Sequence, residues 1–317
     1  MSSCAIVLAQ QRLYKIYFQK LAQLIHISGN LYNEFKHIIK MKFNPYLEVI
    51  VAAIIWSTNG VFIKFLNLPP TTMSFFRLAI PTIILFAYFK FRKIKLFDDK
   101  NKLLLFFISF IVGIKTLLFM IGIQLAPLST VVIVSYSWPI WATLFSVIIL
   151  KEKIVTRNIF LLLLAFVGII LIFLKQNITF ENLVFVGLFL ILIMAVLHAL
   201  MVVLSKRESN KISRYKIVFY QNFMGFFMFL PFIFINPIPS IGQTGVAITY
   251  AVFCGLIGYI IFFSALKRIN ASIASHLSYV EVVSAVLFSI ILFKEVLTWN
   301  IVVGGLLIIV STCLLKK

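Results

Sequence analysis

Acidic side chains are scarce in this chain: nine Asp and Glu stand against 29 Lys and Arg in 317 residues. In a soluble protein so basic a balance points to nucleic acid. Here the basic residues fall in short clusters between apolar runs, which excludes that class and fits loops held against an anionic membrane leaflet. Cysteine is nearly absent too. Cys4, Cys254 and Cys313 are scattered, with no spacing for a disulfide framework or a metal site, so neither metal nor cofactor is expected. There is no His-Glu-x-x-His, no Gly-rich phosphate loop ending in Lys-Ser/Thr and no Gly-x-Ser-x-Gly. The loops are short, so the chain has no extramembrane ATP-binding domain and is not expected to be an enzyme. No two glycines stand four apart, so close helix approach has to rely on other small residues.

What the chain has instead is hydrocarbon. It is 62% hydrophobic with 34 Phe and a mean hydropathy of +1.09, too little polar surface to cover a water-soluble globule. From Tyr46 onward ten apolar runs are long enough to cross a bilayer: 46–66, 71–89, 103–124, 129–150, 158–174, 182–204, 215–235, 246–266, 272–293 and 298–315. Residues 1–45 differ. They are basic, lack a continuous apolar run, and read either as a surface-lying amphipathic helix or as sequence upstream of a true start at Met41.

A 24-residue stretch occurs twice. Ser129–Glu152 and Ser272–Glu295 lie 143 positions apart and agree at ten positions, among them Ser135/Ser278, Tyr136/Tyr279 and the closing Lys-Glu. Such a duplication divides the chain into a first five-helix repeat, 46–175, and a second, 176–317. Five is odd, so the second repeat enters the membrane upside down. The fold expected is an all-α membrane protein of ten transmembrane helices in two inverted five-helix repeats. Loop charge agrees. With both termini cytoplasmic, 24 of the 29 basic residues fall inside and three, Lys64, Lys175 and Lys294, fall outside. That orientation implies a multi-pass protein of the cell inner (cytoplasmic) membrane.

The pattern resembles the drug/metabolite transporter superfamily, in particular its EamA-type ten-helix members. The matching residues are Trp56-Ser57-Thr58-Asn59 and Lys64 in span 1, Phe76-Arg77 in span 2, Pro139 in span 4, Tyr279-Val280-Glu281 in span 9, and the span-ending Glu152 and Glu295. Two positions depart from the family's habit: Ser57 where Gly is frequent and Val282 where Pro is frequent. The resemblance implies secondary transport of a small polar metabolite, an amino acid or related compound, by alternating access and with proton exchange. The reading from another class is an intramembrane enzyme or a lipid flippase-like protein.

Glu281 lies about 14 Å into its span at 1.5 Å per residue, and it is the sole acid well inside any span. A carboxylate at that depth is protonated, paired or facing a wet cavity. It is either a coupling or amine-binding group or a permanently paired structural acid. Lys115, mid-span 3, either pairs with Glu281, meets a substrate carboxylate or caps a broken helix end. Arg77 offers a planar donor fork to an anion or to backbone carbonyls, and Lys64 snorkels. Trp56, Asn59, Tyr136, Trp138 and Tyr279 are candidate cavity walls or ordinary packing. Asn222 and His198 read as satisfied within the bundle, and His276 as interfacial. The partners implied are a small-molecule substrate and the bilayer, with no nucleic acid; a homodimer stays open. With native cysteines replaced by serine, Lys151→Cys and Lys294→Cys should label from opposite membrane faces with an impermeant thiol reagent. Labelling from one face contradicts the inversion.

Overall fold

In the computed structural model the described residues are 44–66, 68–126, 128–173, 182–237, 239–293 and 298–315. The basic segment before Phe43, Lys175 and Lys294-Glu295 lie outside them, as does the side chain of Lys64. Ten apolar rods run through the described part. They are α1 (Pro45–Ser57, then Asn59–Leu66), α2 (Pro70–Phe91), α3 (Lys102–Leu125), α4 (Leu128–Ser135, then Trp138–Leu150) and α5 (Thr156–Phe173). The second five are α6 (Asn182–Ser209), α7 (Arg214–Phe229, then Phe232–Ile235), α8 (Ile241–Tyr250, a π-helical stretch Ala251–Ile257, then Gly258–Leu266), α9 (Ala271–Leu277, then Val280–Phe293) and α10 (Trp299–Cys313). Eight are long and apolar enough to cross a membrane, and α5 and α10 are shorter apolar helices. Each coincides with one of the ten runs expected from sequence.

The breaks have local causes. In α4 Pro139 has no N–H to donate, and it sits in the first turn of the second segment, where none is needed. In α9 no proline is present, yet the chain breaks at Ser278–Tyr279. Both breaks fall at the duplicated Ser-Tyr step. Ser135 Oγ donates to the Val132 carbonyl at 2.9 Å and Ser278 Oγ to the Ala274 carbonyl at 3.0 Å, a local bond that competes with the helical ladder. The backbone then tightens to three-residue turns: Ile140 N to Ser137 O in one copy, Glu281 N to Ser278 O in the other, both 3.0 Å. So both repeats interrupt the same helix at nearly the same place.

Packing repeats as well. The α3–α6 contact is matched by α8–α1, α4–α6 by α9–α1, and α3–α7 by α8–α2, while α2–α7, α4–α9 and α5–α10 pair an element with its own repeat mate. Each is the contact expected if helix n and helix n+5 exchange under a two-fold axis. The fold is two inverted five-helix repeats. Large apolar side chains face outward along the rods, among them Phe86, Phe107, Phe160 and Phe189, as a hydrocarbon solvent permits.

Two sequence readings are corrected here. Glycines do mediate close approach, although not as spaced pairs on one helix. Gly168 of α5 and Gly304 of α10 each face the other's backbone carbonyl, so tightly that an added Cβ would overlap it. His276 is not interfacial: it is buried, with Nε2 3.3 Å from Ser311 Oγ.

The end carrying most Lys and Arg, here the basic end, is laced with polar contacts. Lys216 pairs with Asp99 at 2.9 Å, Asn101 donates to both oxygens of Glu208 at 3.0 Å, and Arg268 pairs with Glu48. Glu152 accepts from the Ala271 backbone N–H at 2.9 Å. These bonds tie segments of the first repeat to segments of the second. Gly168→Leu should therefore cost about 1–3 kcal/mol by overpacking, seen as a lower thermal midpoint in detergent. Gly305→Leu, beside open space, should not lower it; equal losses contradict the seam.

Candidate functional site

The broken helices bring a group of polar side chains to mid-depth. Glu281 stands in the first turn of the second segment of α9 and stays partly accessible. The Tyr136 hydroxyl, at the break of α4, hydrogen-bonds its carboxyl group. This contact joins the two copies of the duplicated stretch directly. A phenol neutralises no charge, so it holds the acid in place without pairing it.

Arg77 is placed by α2, one turn before Pro81, which has no N–H to return to the Arg77 carbonyl. Gly255 of the π-helical stretch packs against that carbonyl, where a Cβ would overlap it. The Arg77 guanidinium donates from Nη2 to the Tyr259 hydroxyl at 3.3 Å, lies 6.0 Å from the centre of that ring, and hydrogen-bonds Tyr250. Trp56 of α1 donates from Nε1 to the Cys254 carbonyl at 3.0 Å, with its ring centre 4.8 Å from Tyr259. The wide turns of a π-helix expose carbonyls that an α-helix would engage. Here α1 and α2 clasp that stretch.

Lys115 of α3 is 8% exposed. Its Nζ lies 3.5 Å from His198 Nδ1 on α6, and the His198 ring lies 4.7 Å from Trp138 of α4. Lys115 thus does not pair with Glu281, one of the options its position in the sequence allowed. The Lys115–His198 pair reaches the break of α4 through Trp138, two residues from Tyr136. The Asn59 side-chain oxygen, at the break of α1, is buried with no hydrogen-bond partner.

Tyr279 is not brought into this group. It is fully buried in one cluster with Leu162, Ala165, Ile169 and Ile308 of α5 and α10, a cluster that Tyr136 borders, and its hydroxyl is buried without a hydrogen-bond partner. Asn222 donates to the Val218 carbonyl one turn back at 2.7 Å, as a packed residue does. Residue-by-residue reading missed His198, Tyr250 and Tyr259 as partners. Tyr250 and Tyr259 stand on the span whose glycines admit Trp56 and Arg77, but spacing alone does not reveal a π-turn.

The EamA-like transporter family model matches residues 44–174 and again 185–316. The chain belongs to the EamA-like transporter family. It is 28% identical over 271 residues to the "Uncharacterized transporter YoaV" of Bacillus subtilis (strain 168), covering 83% of this chain and 93% of that one. It is 23% identical over 280 residues to "Solute carrier family 35 member G1" of Mus musculus, covering 83% and 75%. A crystallised chain superposes with a TM-score of 0.75 at 17% identity, over 85% of this chain and 96% of that one; this likeness is one of fold. The family assignment makes this a multi-pass membrane transporter, and the double match falls on the two five-helix runs. Its Arg77 is bonded as a fork between two phenols, which an ammonium cannot reproduce. Arg77→Lys should lower the thermal midpoint by a few degrees, roughly 2–4 °C per kcal/mol lost. An unchanged midpoint contradicts the role given to the fork.

Proposed function

We propose that the protein is a secondary active transporter moving a small polar metabolite, an amino acid or related compound, across the cytoplasmic membrane by alternating access. The observation that carries this reading is the Tyr136–Glu281 contact. It joins the two inverted repeats at the helix breaks, with an acid that can gain or lose a proton where the halves meet. Discontinuous helices at the midplane suit a site that binds a polar group, because their freed backbone groups face it.

In this account the repeats are 46–175 and 176–317, the basic end and both termini face the cytoplasm, and the membrane is the inner one. The interlocked basic end is then the closed side, and transport requires its bonds to part. Glu281 exchanges a proton against substrate. Arg77 and Lys115 set charge preference, and Trp56, Asn59, Tyr136 and Trp138 shape the cavity; Tyr279 supports the α5–α10 seam. We take the chain to be no enzyme. Neither the intramembrane-enzyme nor the flippase reading is favoured by a specific contact.

Glu281→Gln should abolish or uncouple transport in proteoliposomes, measured with labelled amino acids with and without a pH gradient. Membrane insertion and the thermal midpoint should hold. Normal gradient-driven uptake by this variant contradicts the coupling role.

A further inference from the structure

The ion pairs Lys216–Asp99, Lys211–Glu208 and Arg268–Glu48 all lie at the basic end. The three charged side chains of the core are held differently. Arg77 bonds two phenols, Lys115 faces an imidazole, and Glu281 takes a phenol. Among the described residues they form no ion pair with one another. Charge at this depth costs several kcal/mol unless compensated. Neutral partners position the groups and leave their charge for something else.

Counting what is left gives two cations and one acid. A further acceptor stands open: the buried Asn59 side-chain oxygen without a partner. It sits at the start of the second α1 segment, which packs on the second segment of α9 that carries Glu281. Two acceptors therefore lie on the α1–α9 side, while the guanidinium and the ammonium stand on α2 and α3.

We propose that the core takes a small organic compound of net charge −1, with two carboxylates and one ammonium, as in an amino dicarboxylate. The carboxylates meet Arg77 and Lys115, and the ammonium meets Glu281 and Asn59. The Trp138 ring, beside His198, covers the carbon skeleton. A zwitterion leaves one cation uncompensated, and a cationic amino acid leaves that cation and adds an unpaired ammonium of its own. This rests on the transporter reading and specifies its substrate class.

The test uses the purified full chain with aspartate, asparagine and lysine as probes, reading thermal stabilisation in detergent and labelled uptake into proteoliposomes. Aspartate should bind on the order of tenfold or more tighter than asparagine, the effect of one charge-assisted hydrogen bond. In Lys115→Gln the order should reverse, with asparagine now preferred. A merely structural lysine would instead weaken all probes alike. Equal or better binding of asparagine or lysine by the unmodified protein overturns the proposal, as does no binding of aspartate or a uniform loss in the variant. The transporter reading falls separately, if vesicles carrying the protein take up no amino acid at all.

Discussion

Hydrocarbon offers no partner to a charge or to an unbonded peptide group, and this one constraint shapes the molecule. It explains why the rods are so uniformly apolar, and why the acid and the two cations of the core point into the bundle. It also explains why each interruption of a helix is patched locally. The serine hydroxyls at the breaks of α4 and α9 take up carbonyls, and Trp56 does so on the π-helical stretch of α8. At the basic end, where water is close, the same chemistry runs to direct ion pairs.

The two-fold repeat organises the scaffold but not the site. Where the first repeat has Lys115 on α3, the position 143 residues later is Gly258 on α8, and its missing side chain makes room for the Trp56 indole. Where the second repeat has Glu281 on α9, the first has Trp138 on α4, packed at a tilt beside His198. At both positions one half contributes a charged group where the other contributes space or an aromatic ring. The packing remains symmetric while the electrostatics do not.

Much of the fold was legible because hydrophobic length and loop charge are direct consequences of the bilayer. All ten rods match apolar runs, and the duplicated Ser-Tyr step marks both mid-helix breaks. The candidate site was legible in part. Depth alone singled out Glu281, Lys115 and Arg77, but partners depend on rotation about each helix axis, which spacing does not fix when nearly every residue is apolar. Hence Lys115 turns to His198, and Tyr279 is buried in the cluster that its repeat mate Tyr136 only borders. His276 was misplaced for a related reason: a polar residue near a span's end was read as interfacial, and Ser311 on α10 satisfies it inside. The Gly168–Gly304 contact brings one glycine from each of two helices, a pairing that no motif on a single helix encodes.

If a shared core is reached from one face at a time, the two ends of the molecule have to move in opposite senses. Spin labels at Lys95 and Lys211 report the basic end, and labels at Phe65 and Phe234 report the other; all four positions are exposed. Pulsed-EPR distances should be recorded in lipid at neutral and at acidic pH. The account predicts that one distance lengthens as the other shortens. Both ends moving in the same sense, or neither moving, contradicts it.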